Sequence, residues 1–97
     1  MISRNIFADR LLSLRKEANI SQRTLAKDLG LTNPAITYLE NAQRSPSFEV
    51  LVTLADYFHV SIDYLTGRTD CPDIVTKDKD GNYIAVEAMS PTKNKKQ

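Results

Sequence analysis

Within the first 67 residues a side chain able to cap a helix stands four times immediately before a helical pattern: Ser21, Thr32, Ser47 and Ser61. Such a residue accepts a hydrogen bond from a first-turn amide that has no partner inside its helix. This punctuation, more than composition, limits the chain to a set of short helices with abrupt turns. The first helix is predicted between Ile6 and Ala18, where Phe7, Leu11, Leu14 and Ala18 recur at steps that fall on one face. Asn19-Ile20 breaks it. Ser21 caps a second helix running to about Leu29, with Ile20 and Leu25 placed as a hydrophobic staple and Gly30 as a stop able to take positive φ.

The third helix is predicted from Asn33 to about Asn41, behind Thr32. Pro34 is tolerated there because first-turn amides have no intrahelical acceptor to lose. Ala35, Ile36 and Leu39 make its apolar edge, leaving Asn33, Thr37 and Tyr38 to point elsewhere. After a loop at residues 42–46, Ser47 caps a fourth helix patterned by Leu51, Leu54, Ala55 and Phe58. Val60, Ser61 and Leu65 repeat the staple and cap, Ile62 and Leu65 are expected to face inward, and Gly67 stops a short fifth helix.

Beyond Arg68 the pattern changes. Ile74-Val75-Thr76 and Tyr83-Ile84-Ala85-Val86 are β-prone runs around an Asp80-Gly81 turn, which predicts a hairpin. The same stretch offers Thr76, Asp78, Asp80, Gly81 and Glu87 at several positions of a calcium loop, but threonine opens it and helices do not flank it, so the hairpin is preferred. The last residues are polar and basic, without material for a core. The expected organisation is therefore all-α: a five-helix domain over 1–67, a hairpin-like extension over 68–88, and a disordered basic tail over 89–97.

Size excludes much. A chain of 97 residues with 41% hydrophobic content can bury one compact core but not a roomy substrate cavity. No run of about 18 apolar residues could span a membrane, and Met1-Ile2-Ser3-Arg4 leads into an amphipathic segment and not a signal-peptide core, so a cytoplasmic location without membrane contact is expected. Cys71 is the only cysteine and His59 the only histidine, too few for an internal disulfide or a zinc site. No nucleophile elbow or acid–base constellation is visible, so neither catalytic nor cofactor-binding residues are assigned and an enzyme is not expected. The formal net charge of +1 excludes an indiscriminate polycation; residues 1–67 carry seven cations and seven anions, so local placement must decide.

Two helices joined by a tight glycine-containing turn, the second with a polar outward face, form a helix-turn-helix arrangement whose second helix can enter a DNA major groove. The run Ser21-Gln22-Arg23-Thr24-Leu25-Ala26-Lys27-Asp28-Leu29-Gly30, followed by Ile36, Leu39-Glu40-Asn41, Ser45-Pro46-Ser47 and Val60-Ser61-Ile62-Asp63-Tyr64-Leu65, resembles the lambda-repressor-like (Cro-type, XRE) helix-turn-helix family over roughly residues 6–67. That resemblance implies a sequence-specific double-stranded DNA-binding transcriptional regulator, a repressor, acting as a homodimer on a palindromic operator. It implies that Gln22, in the first turn beside Arg23, contacts phosphate, where the partial positive charge of the helix end would help. Thr32, Asn33, Pro34, Thr37 and Tyr38 occupy places where relatives reach base edges, and Asn41, Gln43 and Arg44 match a loop that clamps the sugar–phosphate backbone. Arg15 and Glu40 match an interhelical ion pair, and the dimer contact is implied near Tyr64 and Leu65, with the hairpin extending or replacing it by edge pairing.

The chain departs from the family pattern where Pro34 lacks a hydrogen-bonding side chain, where His59 and Ala42 stand at places often held by glycine, and where Thr37 and Tyr38 replace longer amide or basic side chains. Simpler readings compete: an outward polar face is often only solvated, and Phe58 fits the core, with Tyr57 and Tyr64 at its margin, better than a stacking platform for single strands. Two rival functions follow. An antitoxin would use residues 68–88 to grip a partner protein, and a second polypeptide co-purifying from the host would favour it. A protein-interaction module without DNA would bind with no salt dependence.

Overall fold

A computed structural model describes residues 4–86, and the expectations for residues 87–97, including Glu87 and the basic tail, lie outside it. The chain forms α1 (Arg4–Glu17), α2 (Gln22–Leu29), α3 (Asn33–Glu40), α4 (Phe48–Phe58), α5 (Ile62–Thr66), β1 (Ile74–Lys77) and β2 (Tyr83–Val86). Each of the four caps is made as the pattern requires: Ser21 accepts from the Thr24 amide, Thr32 from Ala35, Ser47 from Val50 and Ser61 from Tyr64. The stops are equally local. Gly30, His59 and Gly67 all adopt the left-handed conformation that lets the chain turn back on the last carbonyls of its helix. Ala42 does the same at φ 60° in the loop after α3, a conformation that opposes its Cβ to the following carbonyl.

The helices close around α1, which packs against α3 and α5, while α2 lies on α3 and α4 on α5. Phe7 and Leu11 of α1, Leu25 of α2, Ile36 of α3, Leu54 of α4 and Leu65 of α5 are wholly buried in one core. Fully burying side chains of this size contributes about 1.5–3 kcal/mol each, which is what holds helices too short to persist alone. Ala18, expected on the apolar face of α1, is half-buried against that core. One inward expectation is corrected: Ile62 is 37% exposed, because α5 is barely more than a turn long and Leu65 alone occupies its core-facing position. No helix among the described residues is long and apolar enough to cross a membrane.

The extension is a two-stranded antiparallel hairpin with Ile74 opposite Val86 and Lys77 opposite Tyr83. Asp78 organises its turn. Its carboxylate accepts from the amides of Asp80 and Asn82, both at 2.9 Å, while Gly81 takes φ 85°. The segment before β1 is tied to the helices. The Arg10 guanidinium donates to the Tyr64 carbonyl, to the Thr69 carbonyl at 2.6 Å and to Asp70 at 2.6 Å, and lies over the Tyr64 ring at 4.2 Å. The Ser61 amide donates to the Pro72 carbonyl at 2.9 Å. Between α5 and β1 lies an open groove of about 540 Å³ whose lining includes Ile62, Ile74 and Val75.

Candidate nucleic-acid interface

Outward of Ile36 and Leu39, α3 carries Asn33 and Pro34 in its first turn and Thr37 and Tyr38 in its second. Asn33, Pro34 and Tyr38 are exposed and Thr37 is half-buried. Thr32 is exposed at the cap, where its hydroxyl is committed to the Ala35 amide at 3.2 Å. These five therefore share one surface. The Asn33 side chain has no hydrogen bond within the described residues, so both its amide donor and its acceptor face solvent.

What holds α3 at its angle is an ion pair in its last turn. Arg15 of α1 approaches Glu40 with two nitrogens, Nε to Oε2 at 2.5 Å and Nη2 to Oε1 at 3.0 Å, and also donates to the Ile20 carbonyl at 2.9 Å. The Glu40 side chain is only 3% exposed. A carboxylate at such depth is tolerable only with its oxygens filled, and Gln22 supplies a further donor, Nε2 to Oε1 at 2.9 Å. The amide oxygen of Gln22 in turn accepts from the Thr37 hydroxyl at 2.8 Å. Thus α1, α2 and α3 are joined by one polar chain running from the buried ion pair to the outward face. Gln22, read from the sequence as a surface residue, is half-buried and engaged at both ends of its amide, with one Nε2 hydrogen left over. Arg23, beside it, is exposed and makes no ion pair among the described residues.

The loop after α3 brings its own groups to the same side. Asn41 is the exposed C-cap, and the exposed Gln43 donates its backbone amide to the Tyr38 carbonyl at 2.9 Å. Arg44 lays its guanidinium over the Tyr38 ring at 4.7 Å, which couples the loop to the second turn of α3 through a cation–π contact. Arg4 reaches the Gln43 carbonyl at 3.3 Å and adds a third cation. No sequence signal pointed to Arg4, because the contact spans 39 positions and depends on how α1 crosses the loop.

Glu40 is neutralised by Arg15, Asp63 faces Arg68, and Asp28 accepts from the Tyr57 hydroxyl at 2.7 Å. Arg4, Arg23 and Arg44 have no carboxylate partner among the described residues. Neither Tyr57 nor Tyr64 is a free platform: Tyr57 is half-buried beside Phe58 and bonded to Asp28, and Tyr64 lies under Arg10. The Asp28 carboxylate, as hydrogen-bond acceptor, and then burial push the Tyr57 phenol up to about 12. Leu65 is wholly buried, so a second protomer meeting α5 would touch Ile62 and Tyr64 instead.

Capped short helices, a glycine turn between α2 and α3, and an ion-paired α3 with an outward polar row define a class, and the chain belongs to it: the helix-turn-helix family of XRE type, whose profile matches residues 11–65. Among curated proteins it is similar to the uncharacterized HTH-type transcriptional regulator YqaE of Bacillus subtilis, 35% identical over 60 residues, or 62% of this chain and 52% of that protein. YobD, an uncharacterized HTH-type transcriptional regulator of the same organism, is 34% identical over 68 residues, 70% of this chain and 61% of its own. The cryptic phage CTXphi transcriptional repressor RstR of Vibrio cholerae is 35% identical over 60 residues, 62% of this chain and 54% of that repressor. The shared segment therefore spans between 52% and 61% of the length of these relatives.

Proposed function

We propose that this chain is a transcriptional regulator of the repressor type that binds double-stranded DNA sequence-specifically, as a homodimer, with α3 in the major groove. The observation that carries the reading is the polar row of α3, held outward by the Arg15–Glu40 pair and flanked by three cations without carboxylate partners among the described residues. Helix-turn-helix relatives named as transcriptional regulators, one of them a phage repressor, support it.

Each group has a place in that reading. Asn33 can pair bidentately with N6 and N7 of an adenine, while Thr32, Pro34, Thr37 and Tyr38 offer hydroxyl, ring and methyl contacts to bases or sugar. Gln22 offers its spare Nε2 hydrogen, and Arg23, Asn41, Gln43 and Arg44 their donors, to phosphate oxygens. One module buries only about 600–1,000 Å², so a dimer on half-sites about 34–36 Å apart is needed for tight binding. The exposed Ile62, Ile74 and Val75 beside the α5 groove supply an apolar face for the second protomer.

Selection of bound duplexes from a random pool, followed by titration of the best at two salt concentrations, tests the reading. An inverted repeat should emerge. With Arg4, Arg23 and Arg44 from two protomers on phosphates, the log–log salt slope should be about −5 to −6. Absence of any enriched sequence, or a flat salt response, would refute it.

A further inference from the structure

The polar chain from Arg15 to Thr37 has a direction. Glu40, paired with Arg15, can only accept hydrogen bonds, so the Gln22 group bonded to its Oε1 must be the amide nitrogen. That turns the Gln22 oxygen toward Thr37. Having no hydrogen to give, this oxygen accepts a hydrogen bond from the Thr37 hydroxyl, 2.8 Å away. The second acceptor in reach is the Asn33 carbonyl one turn back, at 3.2 Å, and it would consume the same proton. A threonine hydroxyl has one hydrogen and two lone pairs. Here the hydrogen is used inside the protein by whichever acceptor holds it, and only the lone pairs and the methyl group are left for a ligand.

Resting on the reading of α3 as the helix that meets base edges, we propose that Thr37 is an acceptor-only specificity determinant. It selects a base presenting an exocyclic amino group, N6 of adenine or N4 of cytosine, and discriminates against O6 of guanine and O4 of thymine. A free threonine hydroxyl rotates to suit either kind of partner. Commitment of its proton to Gln22 or Asn33 removes that choice. A carbonyl oxygen brought to the same place faces another acceptor, and neither is satisfied.

The test has two arms on the full chain. In the protein without DNA, proton NMR should find the Thr37 hydroxyl hydrogen protected from exchange and close in space to the Gln22 side chain or the Asn33 backbone. A hydroxyl exchanging as fast as those of exposed threonines overturns the proposal without reference to DNA. In the second arm, wild type, Thr37→Val and Thr37→Ser bind the selected operator, and the base pair whose preference Thr37→Val alters is identified. Replacing its adenine by purine, or its cytosine by 2-pyrimidinone, deletes the amino group. Wild type and Thr37→Ser should then lose about fivefold to tenfold in affinity and Thr37→Val nothing, within the range a single base contact commands. A preference for guanine or thymine oxygen at that pair, or no change of preference in Thr37→Val, overturns the assignment. Should no duplex enrich at all, the DNA reading fails and this assignment with it. That outcome is separable, because the hydroxyl in the first arm would still be protected.

Discussion

Removing Arg15 should unfold the domain more readily than removing the residue it serves. The Glu40 side chain is 3% exposed and that of Arg15 13%, and two nitrogen–oxygen contacts at 2.5 and 3.0 Å join them. In Arg15→Ala the carboxylate stays at depth with Gln22 as its remaining side-chain donor. Breaking a buried pair in this way costs about 3–5 kcal/mol, most of it the cost of an uncompensated charge. In Glu40→Ala the orphan is Arg15, which keeps the Ile20 carbonyl and has a long stem able to carry its charge to water, so about 2–3 kcal/mol is expected. The double variant Arg15→Met with Glu40→Leu removes both charges and should recover most of the loss. Urea unfolding followed by circular dichroism at constant pH gives all three. With a slope near 1–2 kcal/mol per molar for a chain this small, Arg15→Ala should lower the midpoint by about 2–3 M, if enough native protein remains to titrate. A loss below about 1 kcal/mol for Arg15→Ala, the value of a surface pair, or a larger loss for Glu40→Ala, would refute the argument from depth.

On the operator, Asn33→Ala and Thr37→Ala should each cost about 1–3 kcal/mol and relax base discrimination, whereas Gln22→Ala and Arg44→Ala should weaken specific and random duplexes together. Equal losses on both DNAs for all four variants would remove α3 from the role of reader. Tyr57 carries a pH signature. Its phenol is raised to about 12 in the folded chain against 10.0 as its ordinary value, so the stability it contributes is complete below pH 10 and is lost as pH climbs toward 12. Tyr57→Phe should flatten urea midpoints over that alkaline window relative to wild type; parallel curves would contradict the Asp28 bond. Ala42→Gly should raise the melting temperature by several degrees, since about 1–2 kcal/mol of left-handed strain is relieved against a smaller entropic cost. Gly67→Ala should destabilise more than Gly30→Ala in the same melt. Both positions have positive φ, but a Cβ at Gly67 would lie 2.9 Å from Ile6 Cγ2 whereas one at Gly30 meets nothing within 4 Å.

Local chemistry made the helices legible. Caps at Ser21, Thr32, Ser47 and Ser61 and stops at Gly30 and Gly67 are interactions between near neighbours, so each could be read without knowing the fold. His59 was marked by the family resemblance, which sets it where glycine is frequent, and it takes the left-handed conformation of that turn. Ile62 was misjudged where periodicity ran out: five residues are too few to define a face. The candidate surface was legible as a set of residues on α3 and the following loop. Its wiring was not. The bonds of Gln22 to Thr37 and Glu40, the approach of Arg4 to Gln43 and the stacking of Arg44 on Tyr38 depend on how three helices cross, and no spacing in a single chain encodes that.

The three bonds of Arg10 and the Ser61–Pro72 hydrogen bond also say where the chain can be cut. A fragment ending at Gly67 leaves a half-buried guanidinium with only the Tyr64 carbonyl and ring as partners and strips the amide of Ser61, the N-cap of α5, of its acceptor. A fragment ending at Asp73 keeps both. Residues 68–73 therefore travel with the helices as a selvedge along their edge, and an exchange of extensions between related chains belongs at the start of β1, where the backbone has already let go of α5.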